Sequence, residues 1–174
     1  MRFALLAAAF AAAALFLAVV PTASAAPAYA GRAPARTLPL STSLRRHYRE
    51  RLGWEASRRR SVVRIARRQI GIPYVWGGST RRGFDCSGLV RWVYGHVGMP
   101  LPHYTYTMAH FGISVGRWDL RPGDVVFFHR RAHVGLYIGG GRVVHAPHPG
   151  ARVRVAPISW IGGFAGARRL IPDY

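Results

Sequence analysis

The chain contains no lysine: all 25 of its lysine-or-arginine positions are arginine, set against only six acidic residues. Neither a P-loop lysine nor a Schiff-base lysine can therefore be supplied, which removes those chemistries at once. Long apolar runs are equally scarce, since nothing beyond residue 20 could span a bilayer. No internal repeat is present. Cysteine is reduced to one residue, Cys86, so no intramolecular disulfide can form.

The single apolar run lies at the start. Met1-Arg2 precedes Phe3 to Val20, and Ala23-Ser24-Ala25 supplies a small-residue cleavage site. Residues 1–25 thus read as a signal peptide, with an uncleaved membrane anchor as the competing reading. The mature protein is expected outside the cytoplasm: secreted, periplasmic or associated with a cell wall. The formal net charge of +19 predicts attraction to polyanions. Export puts nucleic acid out of reach, which leaves anionic wall polymers or lipid headgroups. Arginine as a default surface residue would explain the same charge without any partner.

Residues 26–57 form a basic leader. Ala26 to Leu40 has no periodicity, whereas Ser41 to Arg60 predicts a helix with Leu44, Tyr48 and Leu52 on one stripe among arginines. That stripe fits docking onto the main domain, or lying on an anionic surface. A second helix is expected over Ser61 to Gln69, ended by Gly71, and a third from Cys86, capped by Asp85 and closed near Gly95 to Gly98. Ser79 to Gly83 reads as loop, and Thr105 to Phe111 as a short helical turn. After Trp118 the period changes to that of strands, at Val125 to Phe128, Val134 to Ile138, Arg142 to His145, Val153 to Val155 and Ala167 to Ile171. Helices first and antiparallel strands afterwards predict an α+β domain over residues 58–174.

A lone thiol in an oxidising compartment is a liability unless its reactivity is used. At a helix start, the backbone N–H groups and the helix dipole favour a thiolate and can hold an oxyanion. Gly88, close behind, would leave room for substrate. The cysteine needs a base and a group to orient it. His133 opens one strand and His145 ends its hairpin partner across Gly139-Gly140-Gly141, which brings two imidazoles to one end of the pair, one as base and one as orienter. His47, His96, His103 and His110 read as surface or packing residues, and His129 and His148 as rim residues. A metal site at His129 and His133 is disfavoured, because in strand conformation they stand about 13 Å apart. No cofactor motif is found.

Pro73-Tyr74-Val75-Trp76-Gly77-Gly78, Phe84-Asp85-Cys86-Ser87-Gly88-Leu89-Val90, Leu120-Arg121-Pro122-Gly123-Asp124, His133-Val134-Gly135-Leu136-Tyr137-Ile138-Gly139 and Val144-His145-Ala146-Pro147 together resemble the NlpC/P60 cell-wall peptidases. The resemblance implies a papain-like α+β fold with N-terminal helices packed on an antiparallel sheet. It implies a thiol peptidase of peptidoglycan stem peptides, cutting between γ-linked D-glutamate and meso-diaminopimelate or L-lysine. It assigns Cys86 as nucleophile, His133 as general base and His145 as the orienting residue. Tyr74 then shapes the oxyanion region, while Asp85 and Ser87 contact the substrate's amine end. One departure stands out: Leu101-Pro102-His103-Tyr104-Thr105 replaces the Leu-Pro-Arg-Thr-Ser of many members, so the cleft wall there is expected to differ. The wall-binding repeats of typical members are not seen.

Two rival functions remain at this stage. A CHAP-like amidase cutting between muramic acid and L-alanine would use the same Cys-His pair. A non-catalytic wall-binding domain, holding on through its arginines, would need none of it. A monomer without nucleic-acid partners is expected in each case.

Overall fold

The computed structural model of the chain describes residues 41–172. The expected signal peptide and residues 26–40 of the leader lie outside the described residues. Helix α1 spans Thr42–Arg67, with the Ser41 hydroxyl accepting from the Leu44 amide at 3.3 Å as its N-cap. The two helices expected at 41–60 and 61–69 are thus one helix. No proline or glycine lies between residues 54 and 70 to break it, and the change in apolar pattern marks only where the helix meets the domain. From Glu55 onward its inner face is buried, with Val62 and Ala66 fully so. Before that the helix stands in the open. Leu44 is 49 % and Tyr48 45 % exposed, so the expected docking of their stripe onto the main domain is not seen among the described residues.

A two-stranded hairpin, β1 (Ser79–Thr80) with β2 (Gly83–Phe84), occupies the segment read as loop. Helix α2 (Cys86–Gly95) follows at once, with Asp85 as its cap, and α3 (Thr105–Met108) is a single turn. The remaining elements are β3 (Ile113–Val115), β4 (Val125–Phe128), β5 (His133–Gly139), β6 (Arg142–His145), β7 (Arg154–Pro157), α4 (Ile158–Ile161) and β8 (Phe164–Arg169). The six longer strands form one antiparallel sheet in the order β3-β8-β4-β5-β6-β7. This is the α+β architecture predicted. β3 went unrecognised because three residues carry no period of their own.

Strand β4 explains its own sequence. Val125 and Phe127 enter the main core with Leu89, Val90, Val93 and Leu136, beneath α1 and α2, whereas Val126 and Phe128 enter a second core with Val143, Ile158 and Ala167 on the other face. A strand covered on both faces reads as an unbroken apolar run. Gly140 and Gly141, both at positive φ, make the two-residue turn between β5 and β6. Behind the sheet, Asp124 is buried in an ion pair with Arg169 at 2.8–2.9 Å and also accepts from the Arg121 amide at 2.8 Å, so its charge is fully partnered.

Two glycines give opposite predictions. A β-carbon at Gly88 would collide with the Gly78 carbonyl oxygen, so this glycine lets α2 seat against the β1 loop, in place of the expected role of clearing a path for substrate. Gly88→Ala should cost about 1–3 kcal/mol by overpacking against backbone. Gly53 lies mid-helix with nothing within 4 Å of an added β-carbon. Gly53→Ala should stabilise by about 0.5–1 kcal/mol. Thermal unfolding of the two variants beside the parent should shift in opposite directions.

Candidate active site

Cys86 is the first residue of α2, and the residue before it fixes that start. The Asp85 carboxylate accepts from the Gly88 amide at 2.6 Å, the Ser87 hydroxyl at 3.0 Å and the Gly77 amide at 3.0 Å. It also meets His103 Nε2 at 2.9 and 3.0 Å. One side chain therefore ties the helix start to the Trp76–Gly77 turn and to the loop before α3. The sequence pattern makes His103 a surface or packing residue. It belongs to the site, and the one signal that could have found it was the substitution of one basic residue for another in the segment departing from the family pattern. The contact itself is long-range and has no local signature.

The histidines come together as the hairpin predicts. Leu136 pairs with Val144, which sets His145 opposite Gly135 and places His133 two residues further along the same face. Added bulk at Gly135 would press on the His145 β-carbon and on β6. His133 Nε2 and His145 Nδ1 are 2.9 Å apart, with the rings nearly perpendicular. If His133 is to accept a proton through Nδ1, its Nε2 must carry hydrogen and donate to His145 Nδ1. His145 then holds its own proton on Nε2, a buried atom with no hydrogen-bond partner among the described residues.

Burial sets the charge state. His133 is lowered to about 4, chiefly by desolvation and secondarily by His129. His145 is lowered to about 3 by desolvation, then by His133, Arg154 and His148. The Cys86 thiol is pushed up by burial and by the Asp85 carboxylate; the amides of Val134, Ser87 and Cys86 itself pull the other way without prevailing. The expected helix-start thiolate is thus corrected. The helix supplies its N–H groups, but Asp85 and desolvation keep the resting sulfur protonated. A neutral thiol and a neutral imidazole pair line one cleft, and such a set can pass a proton during attack.

These residues line a cleft of about 990 Å³. Tyr74 borders Cys86 and Asp85, and its phenol is pushed up by burial and by those two groups. Ser87 is buried with its hydroxyl committed to Asp85. His129 and His148 stand on the rim as read, while His47, His96 and His110 do not line the cleft. His129, Arg130 and Arg131 run consecutively at positive φ, a strained turn that carries the chain into His133. Trp76 and Trp160, 84 % and 83 % exposed, flank the opening and were not singled out by sequence.

The sequence model of the NlpC/P60 family matches residues 71–168. A Mycobacterium tuberculosis protein named "probable endopeptidase" is 47% identical over 112 residues, covering 64% of this chain and 29% of the relative. The γ-D-glutamyl-L-lysine dipeptidyl-peptidase of Bacillus cereus is 32% identical over 120 residues, covering 64% of this chain and 36% of that enzyme. The chain therefore spans about a third of the length of these curated relatives. The crystal structure of the NlpC/P60 domain of the peptidoglycan hydrolase SagA superposes with a TM-score of 0.59 at 36% identity, covering 64% of this chain and 97% of that one.

Two pH dependences follow from the buried histidines. With His133 at about 4, the kcat/KM of any hydrolysis that uses His133 as its base should hold down to near pH 4 and fall below it; an acid limb at the ordinary 6.5 would contradict that role. Folded values below the unfolded 6.5 mean that the unfolded chain takes up these protons first. Their contribution to stability is complete above about pH 6.5 and is lost as the pH falls towards 4. The melting temperature should decline across that window, and less steeply in a His133→Phe, His145→Phe double variant.

Proposed function

The chain belongs to the NlpC/P60 family, and we propose that it is an exported cysteine endopeptidase of peptidoglycan, cutting the stem peptide between γ-linked D-glutamate and the diamino acid. The observation that supports this most directly is the His133–His145 contact of 2.9 Å, made in the cleft that holds the chain's only cysteine. The name of the Bacillus relative, a γ-D-glutamyl-L-lysine dipeptidyl-peptidase, supports the choice of bond. In this reading residues 1–25 are the signal peptide, 26–57 a basic leader and 58–174 the catalytic domain.

In the first half-reaction Cys86 Sγ attacks the γ-carbonyl carbon of D-glutamate as its proton passes to His133 Nδ1. The carbonyl oxygen gains the negative charge, and backbone N–H groups at the start of α2, with Tyr74 beside them, are placed to stabilise it. The C–N bond then breaks. His133 returns its proton to the leaving amine of the diamino acid, and a thioester remains on Cys86. In the second half-reaction His133 takes a proton from water, whose oxygen attacks the thioester carbon. His133 returns that proton to Sγ as the C–S bond breaks, which restores the Cys86 thiol, and the product acid is released and loses its remaining proton to solvent. His145 accepts the His133 Nε2–H throughout, and so holds the base in the required tautomer. Being neutral, it stabilises the imidazolium less than a carboxylate would. Asp85, which itself lines the cleft, suits the amine end of the stem peptide.

Cys86→Ala should abolish hydrolysis of sacculi with the melting temperature preserved, since the neighbouring Ser87 hydroxyl is committed to Asp85. His133→Ala should slow turnover by about 100- to 10,000-fold, and His145→Ala by less. Mass spectrometry of muropeptides released by the purified protein tests the bond. New fragments ending in D-glutamate or isoglutamine, with free diamino-acid amines, are expected. Release of whole stem peptides from muramic acid would establish an amidase instead, and intact muropeptides a binding domain.

A further inference from the structure

Away from the cleft, the second half of α1 forms one wall of a groove of about 840 Å³ whose other wall is the Arg121–Pro122 turn and the end of β5. Arg60, Arg64, Arg67 and Arg68 recur at helical spacing along one face, and Arg59 and Arg121 reach the same groove. Between these cations the floor is apolar, made by Val63, Pro122 and Ile138.

Like charges at i,i+4 repel one another and destabilise a helix. Here none of Arg60, Arg64, Arg67 and Arg68 forms an ion pair with a carboxylate among the described residues, and Arg64 contacts only the Ser61 hydroxyl, at 3.0 Å. The helix C-terminus favours cations, yet that effect fades within a turn, whereas the cluster runs for about 12 Å along the axis from Arg60 to Arg68. Arg59, partly buried, is lowered chiefly by desolvation, with the charges of Arg169 and Arg121 adding to this and Asp124 and Glu55 opposing it. Such a surface is complementary to an anion whose charges are spread along a line.

We propose that this groove binds a linear phosphodiester polymer, with successive phosphates on the arginines and the intervening carbon chain against the apolar floor. A single phosphate would engage only part of so long a cluster. A membrane presents a plane, whereas these residues line a concave trough. Ile138 lies five residues from His133 on β5, about 17 Å along the strand, so polymer held here leaves the cleft clear. The basic leader is then not the only anchor, and the binding is independent of the chemistry at Cys86.

The test is fluorescence anisotropy of labelled poly(glycerol phosphate) titrated with the full chain at several salt concentrations. Arg64→Gln, Arg67→Gln and Arg68→Gln together should weaken binding at least about tenfold and reduce the slope of log K against log salt by about 2–3. The melting temperature should hold or rise, and turnover of a soluble muropeptide should be unchanged. A control variant, Arg81→Gln, Arg82→Gln and Arg91→Gln, removes equal charge elsewhere and should bind nearly as the parent does. Equal weakening by both variants would overturn the proposal, since net charge alone would then explain the affinity. So would inorganic phosphate competing as well as polymer, or groove-dependent binding to phosphatidylglycerol vesicles with none to the polymer.

Discussion

The Asp85 carboxylate is the contact on which the site depends. Its acceptance of the Gly88 amide and Ser87 hydroxyl defines where α2 begins, and that beginning places Cys86. Its hold on the Gly77 amide fixes the Trp76–Gly77 turn in the cleft that Cys86 lines, and its contact with His103 ties the loop before α3 to the same cleft. The backbone follows from the same requirement: Gly88 is needed because the turn so positioned comes too close for a side chain. The constraint has a cost in chemistry, because the negative charge beside Cys86 opposes ionisation of its thiol.

That opposition gives the histidine pair its importance. With the sulfur protonated at rest, Cys86 in the proposed role of nucleophile depends on an imidazole able to take its proton during attack. Burial keeps both rings neutral, and the β5–β6 register brings them to 2.9 Å. Cys86, the proposed nucleophile, comes from the helical layer and His133, the proposed base, from the sheet, and packing of α2 across β5 joins the two. The α+β arrangement is thus what assembles the site, since neither layer contains it alone.

What could be read from sequence was what local chemistry determines. Asp85 announces itself as a cap, the glycine turn before Arg142 as a hairpin, and the phase of that hairpin puts His133 and His145 at one end. What escaped depends on neighbours distant in the chain. The α1 arginines gave no sign that Pro122 and Ile138 would lie against them. The helix boundary expected at Arg60 arose from a change of surroundings, solvent for domain, which looks like a change of element when only the pattern is seen. His103 carried no local signal, and only its place in a segment departing from the family pattern set it apart.

Strand β5 joins two regions of different character, a cleft with a buried neutral histidine pair at His133 and a basic groove at Ile138. The claim that chemistry occurs in the first rests on one atom, the Cys86 sulfur. Because Cys86 is the chain's only cysteine, alkylation by iodoacetamide can be followed to completion by intact-protein mass spectrometry. Hydrolysis of sacculi should fall in proportion to the fraction alkylated and vanish at full modification, with the fold preserved. Undiminished hydrolysis by fully alkylated protein would contradict Cys86 as the nucleophile.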